Sequence, residues 1–452
     1  MATTYLSRTP SSAGNRKTFT ISAWLKRGTF NKYGRIISSY VDDNNRDESF
    51  FHETTQKLYF ESVNSSSQVV NMVTTRKFKD INAWYHLVIA VDTTQSTASN
   101  RVKIYINGVQ ETAFDTETYP SQNYDFNLNN NIIHYIGRSG YQSGSNSYFD
   151  GCMSHFHFVD GSQLAPTVFG STDSVTGEWN INTSPSYTVG TNGFFILKNT
   201  NSGTDESTNS NNFTASGSLT KTEDNPSNIF ATINILLGAD VIGSTVEFSA
   251  GNTLASDPNG QASGINPNFI STLGMPSKGK WYCEVQPSSF STSSGHSIGI
   301  YRTKGSTDDT GLGDLEGNNS KIRYIYADTS IYIIKYGSND QTGLTSISSG
   351  QTVGMALDLD NGTLQYYVDG SARANPITGI NSANDGYDYF FHAGLESSSS
   401  GRYGIYSFNF GNGAFGSTQL TGTTYNDSQG RGIFKYQPPT NFLALCTRNL
   451  NV

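Results

Sequence analysis

The chain has 452 residues, only 15% of them charged, a formal net charge of −8, 45 glycines and 26 each of tyrosine and phenylalanine. That length exceeds what one hydrophobic core organises and fits two domains of about 200 residues. With no cluster of Lys or Arg there is no basic stripe to displace phosphate counterions, which argues against nucleic acid. No apolar run approaches the ~20 residues that span a bilayer, and the first residues lack the basic-then-apolar blocks of a secretion signal.

Abundant aromatics joined by Gly, Asn, Asp and Ser turns, without Ala/Leu/Glu/Lys runs at helical spacing, predict an all-β fold. Tyr5–Arg8 reads as a short strand and Thr18–Lys26 as a longer one, with Phe19, Ile21, Ala23 and Leu25 on one face. Gly34–Tyr40 follows, then a polar turn over Asp42–Asp47, then strands at Phe50–His52, Lys57–Ser62 and Gln68–Thr74. The clearest signal is Ala83–Gln110. Tyr85, Leu87, Ile89 and Val91 alternate, Val102, Ile104 and Ile106 alternate again, and Asn107-Gly108 supplies a tight turn. Asn131–Gly137 and Tyr148–Val159 close this first sandwich, with Met153, His155, His157 and Val159 on one parity and Phe156 and Phe158 on the other.

The second half repeats the device. Val353, Met355, Leu357 and Leu359 alternate before Asn361-Gly362, and Leu364, Tyr366 and Val368 alternate before Asp369-Gly370. Two tandem antiparallel β-sandwiches follow. The expected division is 1–165, a loop-rich extension over 166–232 with Trp179, Phe194, Phe195 and Phe213 as anchors, and 233–452. Cys152, Cys283 and Cys446 cannot all pair within one chain, and each lies in an apolar or strand-like context, so three buried thiols are expected.

The order Thr-Phe-Thr-Ile-Ser-Ala-Trp-Leu-Lys, Ala-Trp-Tyr-His-Leu-Val-Ile-Ala-Val-Asp, Val-Lys-Ile-Tyr-Ile-Asn-Gly and Tyr-Phe-Asp-Gly resembles a laminin-G-like domain of the concanavalin A-like superfamily, a jelly roll of two sheets. Gly279–Val285, His296–Tyr301, Val353–Asp369 and Tyr406–Gly411 are similar to the strand order of SPRY sandwiches. Phe158–Asn234 and the ending from Pro438 resemble segments of tailed-bacteriophage virion proteins that join these two modules. The resemblance implies a structural protein on the virion surface, made in the host bacterial cytoplasm. It would be a capsid decoration, fibre or tail appendage contacting other virion proteins, with host surface glycans as a further partner and a homo-oligomer built through sheet faces, edges or loops. The first module begins within a few residues of Met1, which favours a head-bound or accessory protein over a long fibre with an N-terminal adaptor. A soluble glycan-binding lectin is the alternative, and a glycoside hydrolase stands behind it. Both folds host many functions, so neither assigns one.

Chemistry must come from individual residues. Gly295-His-Ser-Ile-Gly299 matches the nucleophile elbow of α/β-hydrolases, but Ile300-Tyr301-Arg302 continues a strand where that elbow needs a helix, so Ser297 is expected to be a strand residue. No strand carries the carboxylate pair of a retaining glycosidase; Glu61, Glu178 and Glu284 stand apart from other acids on their own strands, and no enzyme is expected. Asp42, Asp43, Asn44, Asn45 and Asp47 form an acidic turn offering oxygens to calcium, with Asp308, Asp309 and Asp314 a second such cluster. His155 and His157, at i and i+2, are expected to face the core and bond backbone carbonyls. Sugar binding needs aromatic faces and planar polar groups in loops, which singles out Tyr119, Tyr124, Tyr141, Asn146 and Tyr148.

Overall fold

A computed structural model describes residues 4–141, 147–198, 202–236, 246–257, 268–291, 295–303, 321–326, 330–380, 387–395 and 403–450. It divides into two compact units, Met1–Leu219 and Thr220–Val452. Both are β-sandwiches, and no helix among the described residues is long and apolar enough to cross a membrane.

The first unit runs β1 (Tyr5–Arg8), β2 (Thr18–Arg27), β3 (Gly34–Asp42), β4 (Asn45–Phe51), β5 (Lys57–Asn64), β6 (Ser67–Lys77), β7 (Tyr85–Asp92) and β8 (Val102–Ile106). It continues with β9 (Val109–Gln110), β10 (Phe114–Thr118), β11 (Ile133–Ile136), β12 (Gly151–Asp160), β13 (Gly170–Thr172), β14 (Trp179–Ile181), β15 (Phe194–Ile196) and β16 (Thr214–Ser216). One sheet has the order β10-β6-β5-β4-β3-β11-β1-β16 and the facing sheet β15-β12-β2-β7-β8-β9. Alternation decides what lies between them. Phe19, Ile21, Leu25, Leu87, Ile89 and Ile104 from one sheet meet Leu6, Ile37, Phe51, Phe60 and Met72 from the other, all essentially sealed from water. The Asn107-Gly108 turn has φ of +49° and +80°, the left-handed pair that a two-residue hairpin needs.

Several expectations change here. The polar turn after β3 is tighter than Asp42–Asp47: β4 already begins at Asn45, and Asp47 is a fully buried strand residue. Along β12 the register slips between Ser154 and His157, with His155 at φ +47°, so a bulge resets the parity. Met153 packs against the same core as Phe156 and Phe158, whereas His157 pairs with Ser22 on the outer side. The two histidines bond side chains rather than backbone carbonyls, His155 Nδ1 to Ser154 Oγ at 2.7 Å and His157 Nδ1 to the Tyr187 hydroxyl at 2.6 Å. Cys283 and Cys446 are buried free thiols, but Cys152 is only half-buried.

The stretch after β12 is part of the first unit's packing. Phe194 stacks on Phe158 at 5.6 Å and meets Phe213 edge-on at 4.7 Å. β15 extends one sheet beside β12, and β16 extends the other beside β1. Phe169 and Tyr187 cover Val88, Ala90 and Val159 on the outer side of the second sheet as a small separate core. Apolar anchors spaced through polar sequence therefore produce edge strands and a cover, because each anchor finds a sheet face to bury against.

The second unit continues with β17 (Glu247–Ser249), β18 (Leu254–Asp257), β19 (Asn268–Ile270), β20 (Lys280–Ser288), β21 (His296–Thr303), β22 (Lys321–Tyr326) and β23 (Tyr332–Lys335). Then come β24 (Ser338–Thr342), β25 (Val353–Asp358), β26 (Thr363–Val368), β27 (Ser371–Ile377), β28 (Asp388–Leu395) and β29 (Gly404–Asn409). Its sheets are β17-β18-β29-β20-β25-β26-β27 and β19-β28-β21-β22-β23-β24. Ile298, Ile300, Ile322 and Tyr324 from the second pack against Val285, Val353, Met355 and Leu357 from the first. Ser297 lies inside β21, fully buried, and the strand continues past it to Thr303 where an elbow would turn into a helix.

Candidate functional site

If Phe51, Leu58, Phe60 and Met72 face inward, their strand neighbours must face out. On that outer side the first unit carries an unusual set. Phe50 and Tyr59 are cross-strand partners and stack nearly parallel, centroids 5.0 Å apart. His52 lies 5.2 Å from Tyr59, and Tyr33 meets both Phe50 and His52 edge-on. The Arg35 guanidinium sits 4.1 Å over Phe50 and 4.6 Å over Tyr33.

Register then places Glu48 on β4 opposite Glu61 on β5. Reading one strand at a time cannot reveal this pair. The two carboxylates are held differently. Glu48 is buried, ion-paired to Arg35 Nη1 at 2.6 Å, and accepts the hydroxyl of Ser139. Glu61 is half-buried and accepts Gln68 Nε2 at 3.0 Å, while Asn71 donates to Gln68 Oε1 at 3.1 Å. Burial, then repulsion from Glu48, raises the Glu61 carboxyl above its ordinary pKa. Phe50 is only 5% exposed, covered by Arg35 and Tyr59, so the aromatic platform is the half-buried Tyr59 ring backed by Phe50. It lies beside a carboxylate and two amides, a combination suited to the apolar face and hydroxyls of a sugar ring.

The residues expected to bind sugar separate. Tyr141 is 41% exposed, and the Arg46 guanidinium lies 4.0 Å from its ring. Tyr148 lies at the base of the same loop, bridged to Arg138. Tyr119 and Tyr124 pack instead against the core, Tyr119 donating to Glu117 and Tyr124 sharing a 2.8 Å hydrogen bond with Ser62 Oγ. Asn146 lies outside the described residues.

The calcium candidates do not converge. Asp42 Oδ1 accepts the Asn44 N–H and the Asn45 side-chain amide, and Asp43 Oδ1 accepts the Tyr40 hydroxyl. Asn45 Oδ1 accepts the Ser65 N–H. Asp47 turns to the opposite side of the sheet, accepting Ser62 Oγ and the Leu128 N–H, and burial pushes its pKa up to about 6. Among the described residues, no three His, Cys, Asp or Glu side chains come close enough to hold one ion. Asp308, Asp309 and Asp314 lie outside the described residues.

Two further places hold chemically suggestive groups. Ser22 Oγ lies 2.9 Å from His86 Nε2, which resembles a nucleophile and its base. Indole N–H only donates, so Trp179 Nε1, 3.0 Å from His86 Nδ1, makes Nδ1 the acceptor. In neutral imidazole the proton is then on Nε2 and is donated to Ser22, so His86 cannot take the serine's proton. Both residues are fully buried, and Trp24 stacks on His86 at 4.8 Å. The other place is a concavity of about 580 Å³ beside residues 185–191, lined in part by Tyr187, Phe195 and Asn209. Its amide is committed to the protein, Asn209 Nδ2 donating to the Gly190 and Gly193 carbonyls.

Comparison with known proteins matches residues 2–169 to the concanavalin A-like lectin/glucanases superfamily. No curated protein matches the chain. Among solved structures, similarity is found to the SPRY domain of human HERC1, at 13% identity over 34% of this chain and 87% of that one, TM-score 0.27. The heptameric SAP-like pentraxin of Limulus polyphemus gives 12% identity over 43% and 89%, TM-score 0.29. Domain 4 of the extracellular arabinanase AbnA from Geobacillus stearothermophilus, solved with arabinotriose, gives 19% over 34% and 65%, TM-score 0.26.

Proposed function

We propose that the protein is a non-catalytic adhesin that holds surface glycans on the outer face of its first sandwich, and that it works as a surface component of a tailed-bacteriophage particle. The observation that carries the glycan reading is the half-buried Tyr59 ring, a platform backed by buried Phe50 and bordered by Glu61, Gln68 and Asn71. A superfamily of lectins and glucanases supplies a scaffold compatible with it. Binding is favoured over hydrolysis because Glu48, the only acid opposite Glu61 across β4 and β5, is committed to Arg35 and Ser139. The virion role is supported by the resemblance of the connecting and C-terminal segments to those of phage particle proteins, with the second sandwich contacting other virion proteins.

The test is calorimetric titration of the full chain with surface polysaccharides from candidate host bacteria, alongside Tyr59→Ala and a reducing-sugar assay. Saturable binding that weakens by about tenfold or more in Tyr59→Ala, without sugar release, is expected. Unchanged binding in that variant removes the platform from the mechanism, and sustained sugar release makes the protein an enzyme. Immunogold labelling of intact particles tests the virion role, which a soluble lectin would fail.

A further inference from the structure

The first unit contains eight arginines, and seven of their side chains donate to or pair with a protein carbonyl, amide or carboxylate: Arg8, Arg16, Arg27, Arg35, Arg46, Arg76 and Arg101. Arg138 is the exception. Among the described residues its guanidinium has no hydrogen-bond acceptor and no acid, and its Nε is buried without a partner. The groups around it are rings. Tyr5 lies 4.8 Å from the guanidinium carbon, Tyr135 5.1 Å and Tyr148 5.9 Å.

The chain builds this group deliberately. β1 and β11 are paired, Leu6 and Ile136 face the core, and so Tyr5 and Tyr135 share the outer side, their rings edge-on at 5.8 Å. Gly137, at φ +82°, then turns the backbone and receives the Phe149 N–H on its carbonyl, which sets Arg138 opposite Tyr148. All four side chains are half-buried, so the group is open on one side. No hydroxyl of the three tyrosines has a hydrogen-bond partner among the described residues.

We infer that Arg138, with Tyr5, Tyr135 and Tyr148, is an anion subsite of the glycan-binding face and takes the carboxylate of an acidic sugar. This rests on the glycan reading above and names its ligand class. A guanidinium presents a planar fork that matches a carboxylate with two parallel hydrogen bonds, and an unpaired one lacks the competing internal acid that Arg35 has. The tyrosine rings offer stacking surface to the pyranose that carries the carboxylate, and their hydroxyls offer further donors. An inorganic anion would use the guanidinium alone.

The Arg138 Nε–H resonance of the isotope-labelled full chain, assigned by its loss in Arg138→Gln, reads the subsite directly. Galacturonate should shift it saturably, galactose should leave it in place, and acetate should act roughly fivefold or more weakly than galacturonate. No shift with galacturonate, or an equal response to acetate, overturns the subsite. In parallel, polygalacturonate should bind wild type more tightly than its carboxyl-reduced, uncharged form, and Arg138→Gln should abolish that preference by weakening only the charged polymer. Arg138→Lys keeps the charge without the fork and should recover only part of it, which guards against a variant that merely misfolds. Tyr59→Ala should weaken both polymers alike. If it leaves both unchanged, the platform reading fails while the Arg138 resonance still decides the subsite.

Discussion

The indole Nε1–H of Trp179 donates to Nδ1 of His86 at 3.0 Å, so a residue from beyond the jelly-roll strands sets the tautomer of a histidine on β7. Trp179→Phe keeps a ring over His86 but leaves a buried acceptor unpaired, which costs about 1–3 kcal/mol. Denaturation followed by tryptophan fluorescence checks this, because Trp24 and Trp84 remain as reporters in the first unit. Unchanged stability would mean that the imidazole finds another donor.

Acid should unfold the first unit by way of its buried histidines. Burial pushes His86 down to about 3 and His134 and His155 to about 4, whereas the unfolded chain takes up those protons near pH 6.5. Their contribution is intact above that range and is lost as pH falls toward the folded values. Asp47 runs the other way. With its folded pKa raised to about 6, its contribution is complete below about pH 4 and is lost as pH rises through 6. Asp47→Asn should therefore make the stability loss between pH 7 and pH 4 steeper by about 2 kcal/mol. Urea titrations at the two pH values measure the difference, and equal slopes for variant and wild type would contradict it.

In the second unit Glu284 fastens the C-terminal region to β20. Its carboxylate accepts the N–H groups of Lys435 at 2.9 Å and Tyr436 at 2.8 Å, and Asn409 Nδ2 at 2.9 Å. Burial nevertheless raises its pKa to about 7. Glu284→Ala strands these donors and should cost about 3 kcal/mol or more. Limited trypsin digestion should then cut after Lys435 faster than in wild type, and Glu284→Gln, which retains an acceptor, should fall between. Equal cleavage rates in all three would refute the fastening role.

Much of this architecture was legible in residue order. Period-two alternation located β2, β7, β8, β25 and β26, and Asn107-Gly108 and Asp369-Gly370 do adopt paired left-handed conformations. A bulge at His155 was not legible, because alternation assumes an unbroken ladder and one positive φ resets it. The candidate site was legible only at its margin. Tyr141 and Tyr148 were singled out for composition, but Phe50, Tyr59, Glu48 and Glu61 meet through register between strands, which no single strand encodes. Their alternation with Phe51 and Phe60 was the available signal. Asp47 was misplaced for a related reason, since an acidic run looks like a turn until its neighbours bury it.

β16 lies against β1, with Tyr5 paired to Ser216 across roughly 210 residues of chain. During synthesis, then, β1 waits for almost the whole unit to be translated before that flank is closed. Such distant pairing carries a large loop-closure cost and slows folding. In the interval β1 presents an open flank to neighbouring nascent chains, so the yield of native protein should depend on expression rate and temperature as much as on the final stability of the sandwich.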